Sequence, residues 1–186
     1  MTTSTLPLLG FAAWSGTGKT TLLVQLIPLL RARGLRIAMI KHAHHAFDVD
    51  KPGKDSFELR KAGAAQMLIA SRHRFALMVD AEEPQEPDLR TLVEHLDPAR
   101  SDLILVEGFK SECFPKIELY RPSLSQPPLH PDDPDIIAVA TDAPGSLNTP
   151  LPILDLNNPE AIAEFILDWA RSGTHPAQQY RASTQR

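Results

Sequence analysis

The chain has 186 residues, of which 42% are hydrophobic and 23% charged, with a formal net charge of −4. That composition suits one soluble domain with a sizeable core. The charge leaves no cationic footprint for nucleic acid or an anionic membrane, and no apolar run is long enough to span a bilayer.

A single cysteine, Cys113, excludes an intrachain disulfide. With no second cysteine beside it, Cys113 reads as a plain structural or surface thiol. The N-terminus lacks the charged start and long apolar core of a secretory signal. A cytoplasmic location is expected, with no nucleic-acid or membrane partner.

Residues 1–5 read as a frayed start. Leu6 to Ala13 is an apolar run of strand type. A helical pattern follows from about Lys19 to Arg33, with Leu22, Leu23, Leu26, Leu29 and Leu30 on overlapping turns. Pro28 removes a backbone donor inside it and is expected to kink it. Gly34 is placed to end it in a left-handed cap.

Between strand and helix lies Ala13-Trp14-Ser15-Gly16-Thr17-Gly18-Lys19-Thr20. This fits the phosphate-binding loop pattern G-x-x-x-x-G-K-[ST], with Ala13 in place of the first glycine. Gly16 and Gly18 let the backbone turn tightly, so that N–H groups from about Ser15 to Thr20 point at one anion. The positive end of the helix adds to that field. Lys19 supplies a full charge for the outer phosphates, and Thr20 a hydroxyl for Mg²⁺. Trp14 is placed to pack on the strand edge or to stand over the nucleotide.

Leu35 to Lys41 reads as a parallel strand covered on both faces. The polar stretch from Lys41 to Ser56 follows, carrying His42, His44, His45, Asp48, Asp50 and Asp55. It leaves the carboxyl end of a strand, where open α/β sheets bind ligands. The three histidines do not match a zinc spacing. Asp48, Asp50 and Asp55 compete for a second Mg²⁺ contact, although Asp55 also suits a helix cap over Asp55 to Ala62, with Gly63 as stop.

Ala65 to Ser71 and Phe75 to Val79 are joined by too short a link for a crossover, so they are expected to form a hairpin. Its edge near Met67 and Leu77 is a candidate dimer surface. Leu89 to Leu96 reads as a helix and Leu103 to Val106 as a buried strand. Glu107 ends that strand where a Mg²⁺–phosphate site needs a carboxylate, to hold the ion or orient an attacking water. Gly108 lets the chain turn close to the outer phosphate. Asp102 begins the strand, at the wrong end for this role.

Ile117 to Tyr120 reads as an edge strand. Arg121 to Asp135 is too rich in proline for regular structure. Ile136 to Ala140 is a buried strand ending in Thr141-Asp142, where a base would lie. A carboxylate there can accept from N1–H and the exocyclic amine of guanine, a pair adenine does not offer. Leu151 to Leu156 is the last strand, and Pro159 to Arg171 an amphipathic helix capped by Asn157 or Asn158. Arg60, Lys61, Arg72 and Arg74 read as solvated surface, and Trp169 as core. The elements predict one α/β domain over residues 1–171, a mostly parallel sheet with an antiparallel hairpin, and a loose tail over 172–186.

These residues together resemble the molybdopterin-guanine dinucleotide biosynthesis protein B (MobB) family over nearly the whole chain. The phosphate loop through Thr21 carries part of the likeness. More particular are Asp48-Val49-Asp50-Lys51-Pro52-Gly53-Lys54-Asp55-Ser56 and Val106-Glu107-Gly108-Phe109-Lys110. The resemblance implies a three-layer P-loop NTPase-like fold and a homodimer that binds GTP with weak GTPase activity. It implies action in molybdenum cofactor biosynthesis, beside the guanylyltransferase MobA as the molybdenum cofactor becomes its guanine dinucleotide form. By similarity Trp14, Ser15, Gly16, Thr17, Gly18, Lys19, Thr20 and Thr21 hold GTP, with Thr141 and Asp142 at the base. Thr20, Glu107 and Asp55 would serve Mg²⁺, and Lys19, Glu107 and Asp55 catalysis.

Two other readings stand beside it. In one, a small-molecule kinase or ligase uses Lys54 and Arg60 to hold an anionic acceptor. In the other, the three histidines form the delivery site of a metallochaperone.

Overall fold

A computed structural model describes residues 6–43, 47, 49–83 and 85–173. In chain order the elements are β1 (Leu8–Ala12), α1 (Lys19–Ala32), β2 (Ile37–Lys41), α2 (Asp55–Lys61), β3 (Gln66–Ala70) and β4 (Phe75–Val79). They continue with α3 (Leu89–Glu94), β5 (Leu103–Glu107), β6 (Lys116–Tyr120), β7 (Ile136–Thr141), β8 (Ile153–Asp155) and α4 (Pro159–Arg171). The domain expected over residues 1–171 contains two compact units. One comprises residues 43–87, the other the chain on either side.

The larger unit is a six-stranded sheet in the order β2-β5-β1-β6-β7-β8, with every neighbouring pair parallel. Parallel strands need crossovers that cover the faces, so their central strands become apolar throughout. Leu103, Ile104, Leu105 and Val106 of β5 are all fully buried. On one face Leu9, Phe11, Leu103, Leu105, Ile117 and Leu119 pack against Leu22, Leu23, Leu26 and Leu30 of α1 and Ile162, Ala163 and Ile166 of α4. On the other, Ala38, Ile40, Ile104 and Val106 pack with Leu89 of α3, Phe109 and Phe114. The helices on the two faces make the three layers expected.

β6 corrects the expectation of an edge strand, because it lies inside the sheet between β1 and β7. Its charged alternation, Lys116 and Glu118, is what an open edge would show, yet both side chains are buried. The proline-rich segment supplies their partners. Glu118 accepts from the backbone N–H of Leu129 (2.6 Å) and His130 (3.0 Å), and Lys116 Nζ lies 3.0 Å from an Asp133 carboxylate oxygen. Lys116 also donates to the Glu112 carbonyl at 2.6 Å. Buried charges persist only with such partners. Apart from a short 3₁₀ turn at Pro122–Leu124, this segment has no helix or strand, as its prolines require. A Cβ at Gly10 of β1 would overlap the Phe114 ring and come within 2.8 Å of Lys116 Cγ, so glycine is what lets these side chains lie on the sheet.

The helix ends follow their local chemistry. α1 continues through Pro28 to Ala32, and Gly34 adopts φ 92° beyond it. Asn158 caps α4, its side chain accepting from Ala161 N–H at 3.1 Å, with Pro159 in the first turn. No helix among the described residues is long and apolar enough to cross a membrane.

The smaller unit holds α2 and the antiparallel pair β3–β4, the hairpin expected. Leu68 pairs with Leu77 and Ala70 with Phe75, so these side chains share one face. That face is open: Leu68, Phe75, Leu77 and Val79 are all exposed. Asp50 organises the loop before α2. Its carboxylate accepts from Lys51 N–H (3.0 Å) and Ser56 Oγ (2.9 Å).

Candidate functional site

The site is built from strand ends. In a parallel sheet neighbouring carboxyl ends lie side by side, and the register sets which residues meet. Phe11 of β1 pairs with Glu107 of β5, and Lys41 of β2 pairs with the same Glu107. β1 therefore delivers the loop from Ala13 to Gly18 beside the Glu107 carboxylate.

Within that loop Gly16 (φ 82°) and Gly18 (φ 98°) take the left-handed conformation that side chains resist. Thr17 is buried, and its hydroxyl donates to the Trp14 carbonyl at 2.7 Å, closing the turn. α1 then starts at Gly18 with no side-chain cap and no acidic residue in its first turn. Helices ordinarily fill these first N–H positions with a Ser, Thr, Asp or Asn oxygen. Here neither the cap nor a carboxylate offsets the positive end, which is the arrangement that receives an external anion.

Lys19 folds back over the loop, donating to the Ala13 carbonyl at 3.1 Å. Burial pushes its ammonium below the usual lysine range; Glu107 pulls it back up, and Lys110 and Lys41 push it down. Thr20 Oγ1 lies 3.4 Å from Glu107 Oε1. That is long for an O–H···O hydrogen bond. Adjacent oxygens around an octahedral Mg²⁺ lie about 3.0 Å apart, given metal–oxygen distances of about 2.1 Å, so a small closure would let both bind one ion. A hydroxyl and a carboxylate are also the hard oxygen donors Mg²⁺ takes.

Gly108, at φ 95°, turns the chain away immediately after Glu107. A Cβ there would stand 2.6 Å from His42 Cβ. His42 N–H donates to the Glu107 carbonyl at 2.8 Å, and its ring stacks on Phe109 with centroids 4.8 Å apart. Across the sheet, Arg121 Nε donates to the Thr17 carbonyl at 3.0 Å and its guanidinium pairs with Asp142. One arginine thus links the phosphate loop to the carboxylate at the end of β7.

Comparison with known proteins agrees with this geometry. Residues 8–142 match the family model described as "Molybdopterin guanine dinucleotide synthesis protein B". The chain belongs to this family. It is 54% identical over 165 residues to the molybdopterin-guanine dinucleotide biosynthesis adapter protein of Escherichia coli (strain K12), covering 88% of this chain and 93% of that one. It is 44% identical over 164 residues to the adapter protein of the same name in Haemophilus influenzae, covering 88% and 89%. A crystal structure of molybdopterin-guanine biosynthesis protein B (mobB) superposes with a TM-score of 0.65 at 28% identity, over 87% of this chain and 99% of that chain.

In this MobB-family chain the residues read from sequence fall into three groups. Lys19, Thr20 and Glu107 come together, with Ser15, Gly16, Thr17, Gly18 and Thr21 on the same loop and first turn. Thr141 ends β7 and Asp142 follows it, held by Arg121. Two charged residues of the smaller unit, Asp50 and Arg60, engage partners inside it. Asp50 is 8% exposed and engaged by Ser56. Arg60 corrects the expectation of solvated surface: its side chain is 13% exposed and pairs with Asp80 at 2.9 Å, with Asp50 3.8 Å away. A guanidinium so occupied is a poor holder for the acceptor of a kinase. Asp55 sits in the first turn of α2, and Lys54 holds the cap position, so Asp55 is not the cap itself.

His44, His45 and Asp48 lie outside the described residues, as do 174–186 of the expected tail. No group of three His, Cys, Asp or Glu side chains placed to hold a metal occurs among the described residues. Burial pushes the Cys113 thiol up, as suits an unreactive one. Asp102 forms a surface pair with Arg36, whose side-chain hydrogen bond holds its carboxyl at about 2.

Sequence reasoning missed the roles of Arg121, Lys41 and Lys110. Trp14 Nε1 donates to the Pro127 carbonyl at 2.8 Å, and Lys110 Nζ lies 4.7 Å from its ring centroid. The only signal was position, a cation at the end of a strand or next to the proline run.

The crowding at Gly108 gives a direct test. Gly108→Ala should destabilise the fold by about 1–3 kcal/mol, from left-handed strain and the His42 overlap together. Chemical denaturation measures it, and an unchanged midpoint would mean that this turn is not under constraint.

Proposed function

We propose that this chain binds GTP with Mg²⁺ on its phosphate loop and acts as an adapter beside a guanylyltransferase when molybdopterin acquires its guanine nucleotide. The observation that carries the reading is the uncapped start of α1, flanked by Lys19, Thr20 and Glu107. Membership of the MobB family and the adapter names of its relatives support the pathway.

In this reading the loop N–H groups and Lys19 hold the phosphates, and Thr20 and Glu107 hold Mg²⁺. Bound Mg²⁺ supplies charge that offsets the phosphates. Glu107 also faces the position of an attacking water, which suits slow hydrolysis. Asp55 would add a second contact to the ion, or act on that water. Arg121 fixes Asp142 through one carboxylate oxygen and leaves the other to accept from the guanine edge. The guanylyltransferase MobA and molybdopterin are the partners, in the cytoplasm. Among the alternatives, the kinase reading is weakened by the engagement of Arg60 with Asp50 and Asp80.

A homodimer is part of the proposal. Leu68, Phe75, Leu77 and Val79 are 60%, 64%, 46% and 52% exposed on one hairpin face, the kind of apolar strip that marks a contact surface. A second copy of the chain would cover it.

Two experiments follow from these points. Lys19→Ala should weaken GTP binding by about 1.5–3 kcal/mol, roughly ten- to a hundred-fold, because it removes a charge-assisted contact to phosphate. Fluorescence titration with a labelled GTP analogue measures it, and unchanged affinity would remove Lys19 from the site. Leu77→Glu should shift the protein from dimer to monomer in sedimentation equilibrium. A dimer that survives this change would place the subunit contact elsewhere.

A further inference from the structure

Lys41 has no place in the phosphate-loop pattern, yet it shares the carboxylate that the loop needs. Its Nζ lies 3.3 Å from Glu107 Oε2, while Thr20 Oγ1 lies 3.4 Å from Oε1. The ammonium and the threonine hydroxyl divide the two carboxylate oxygens between them.

This placement is built into the fold. Lys41 and Glu107 are register partners on adjacent parallel strands. The next residue, His42, is tied to the Glu107 carbonyl, stacked on Phe109 and closed in by Gly108. The backbone at Lys41 is therefore clamped to the end of β5. The Lys41 side chain is 55% exposed, whereas that of Glu107 is 13% exposed. A fixed base thus carries a largely exposed side chain beside Glu107. The Lys41 charge also contributes to the field at Lys19, alongside Lys110.

We propose that Lys41 is a second phosphate-contacting lysine, held on Glu107 until Mg²⁺ takes that carboxylate. The inference rests on the reading of this site as one for Mg²⁺ and GTP. An ion held between Thr20 and Oε1 offsets much of the carboxylate's charge, which weakens the pull of Oε2 on the Lys41 ammonium. The released lysine keeps a four-carbon stem and three donors. Rotamer changes alone redirect it, with no movement of β2. The strongest anion within its reach is then the terminal phosphate of a triphosphate. A diphosphate lacks that group. Lys41 therefore raises affinity for GTP over GDP, and does so when Mg²⁺ is present.

Calorimetric titration of the full chain tests this, with GTP and with GDP, each in Mg²⁺ and in EDTA. In Mg²⁺, Lys41→Met should lose about ten-fold or more in GTP affinity while GDP affinity changes by about two-fold at most. Lys41→Arg, which keeps the charge, should retain most of the preference for GTP. In EDTA, wild type and Lys41→Met should bind GTP alike, because the lysine stays on Glu107. GTP affinity in Mg²⁺ equal to wild type in Lys41→Met, or equal losses for GTP and GDP, would overturn the proposal. If the methionine variant does not fold, Lys41→Gln carries the same comparison. A wild-type chain that binds neither nucleotide would overturn the GTP-binding reading itself, an outcome distinct from the loss of Lys41's role alone.

Discussion

α1 begins with neither a side-chain cap nor an acidic first turn. A helix start in that state carries uncompensated N–H groups and the positive end of the helix dipole. The surrounding structure can be read as the means of holding that one feature in place. Gly16 and Gly18 give the loop its path, and Thr17 closes it on the Trp14 carbonyl. The apolar rows of β1, β5 and β6 then bury α1 by Leu22, Leu23, Leu26 and Leu30, so that the exposed helix start is paired with a well-packed remainder. Favourable burial of this kind is what lets a local departure from good capping persist.

Charge balance follows from the same centre. Glu107 stands beside the loop, where Lys41 and Thr20 both lie close to its carboxylate. On the other side, Arg121 joins the Thr17 carbonyl to Asp142. The proline-rich segment, which would otherwise be a long structureless loop, is fastened at Trp14, Glu118 and Lys116. It holds the two buried charges of β6 with hydrogen bonds and an ion pair. That explains why β6 can be an interior strand and still carry Lys116 and Glu118.

The legible parts of the sequence were those with strong periodicity or fixed chemistry. The phosphate loop, the buried runs at 103–106 and 136–140, the 66–79 hairpin and the capped last helix all stand where the pattern puts them. Glu107 was legible because strand direction alone brings it to the loop end of the sheet. β6 was not, because alternation of charged and apolar residues is the same whether the charges meet water or a covering segment. Arg60 was misread for a similar reason: its partners Asp50 and Asp80 lie 10 and 20 residues away, and no local pattern announces them. Arg121 and Lys41 act through contacts across strands, which depend on sheet order, and sheet order is not written in any one stretch of the chain.

The most direct test of the central claim is calorimetry of the wild-type chain with GTP and with ATP, each with and without Mg²⁺. The account predicts that GTP binds in preference to ATP and that Mg²⁺ strengthens it. Equal binding of the two nucleotides, or a preference for ATP, would contradict the assignment of Asp142 to guanine and shift the reading toward an ATP-dependent enzyme. Absence of triphosphate binding would contradict the reading of the α1 start as an anion site.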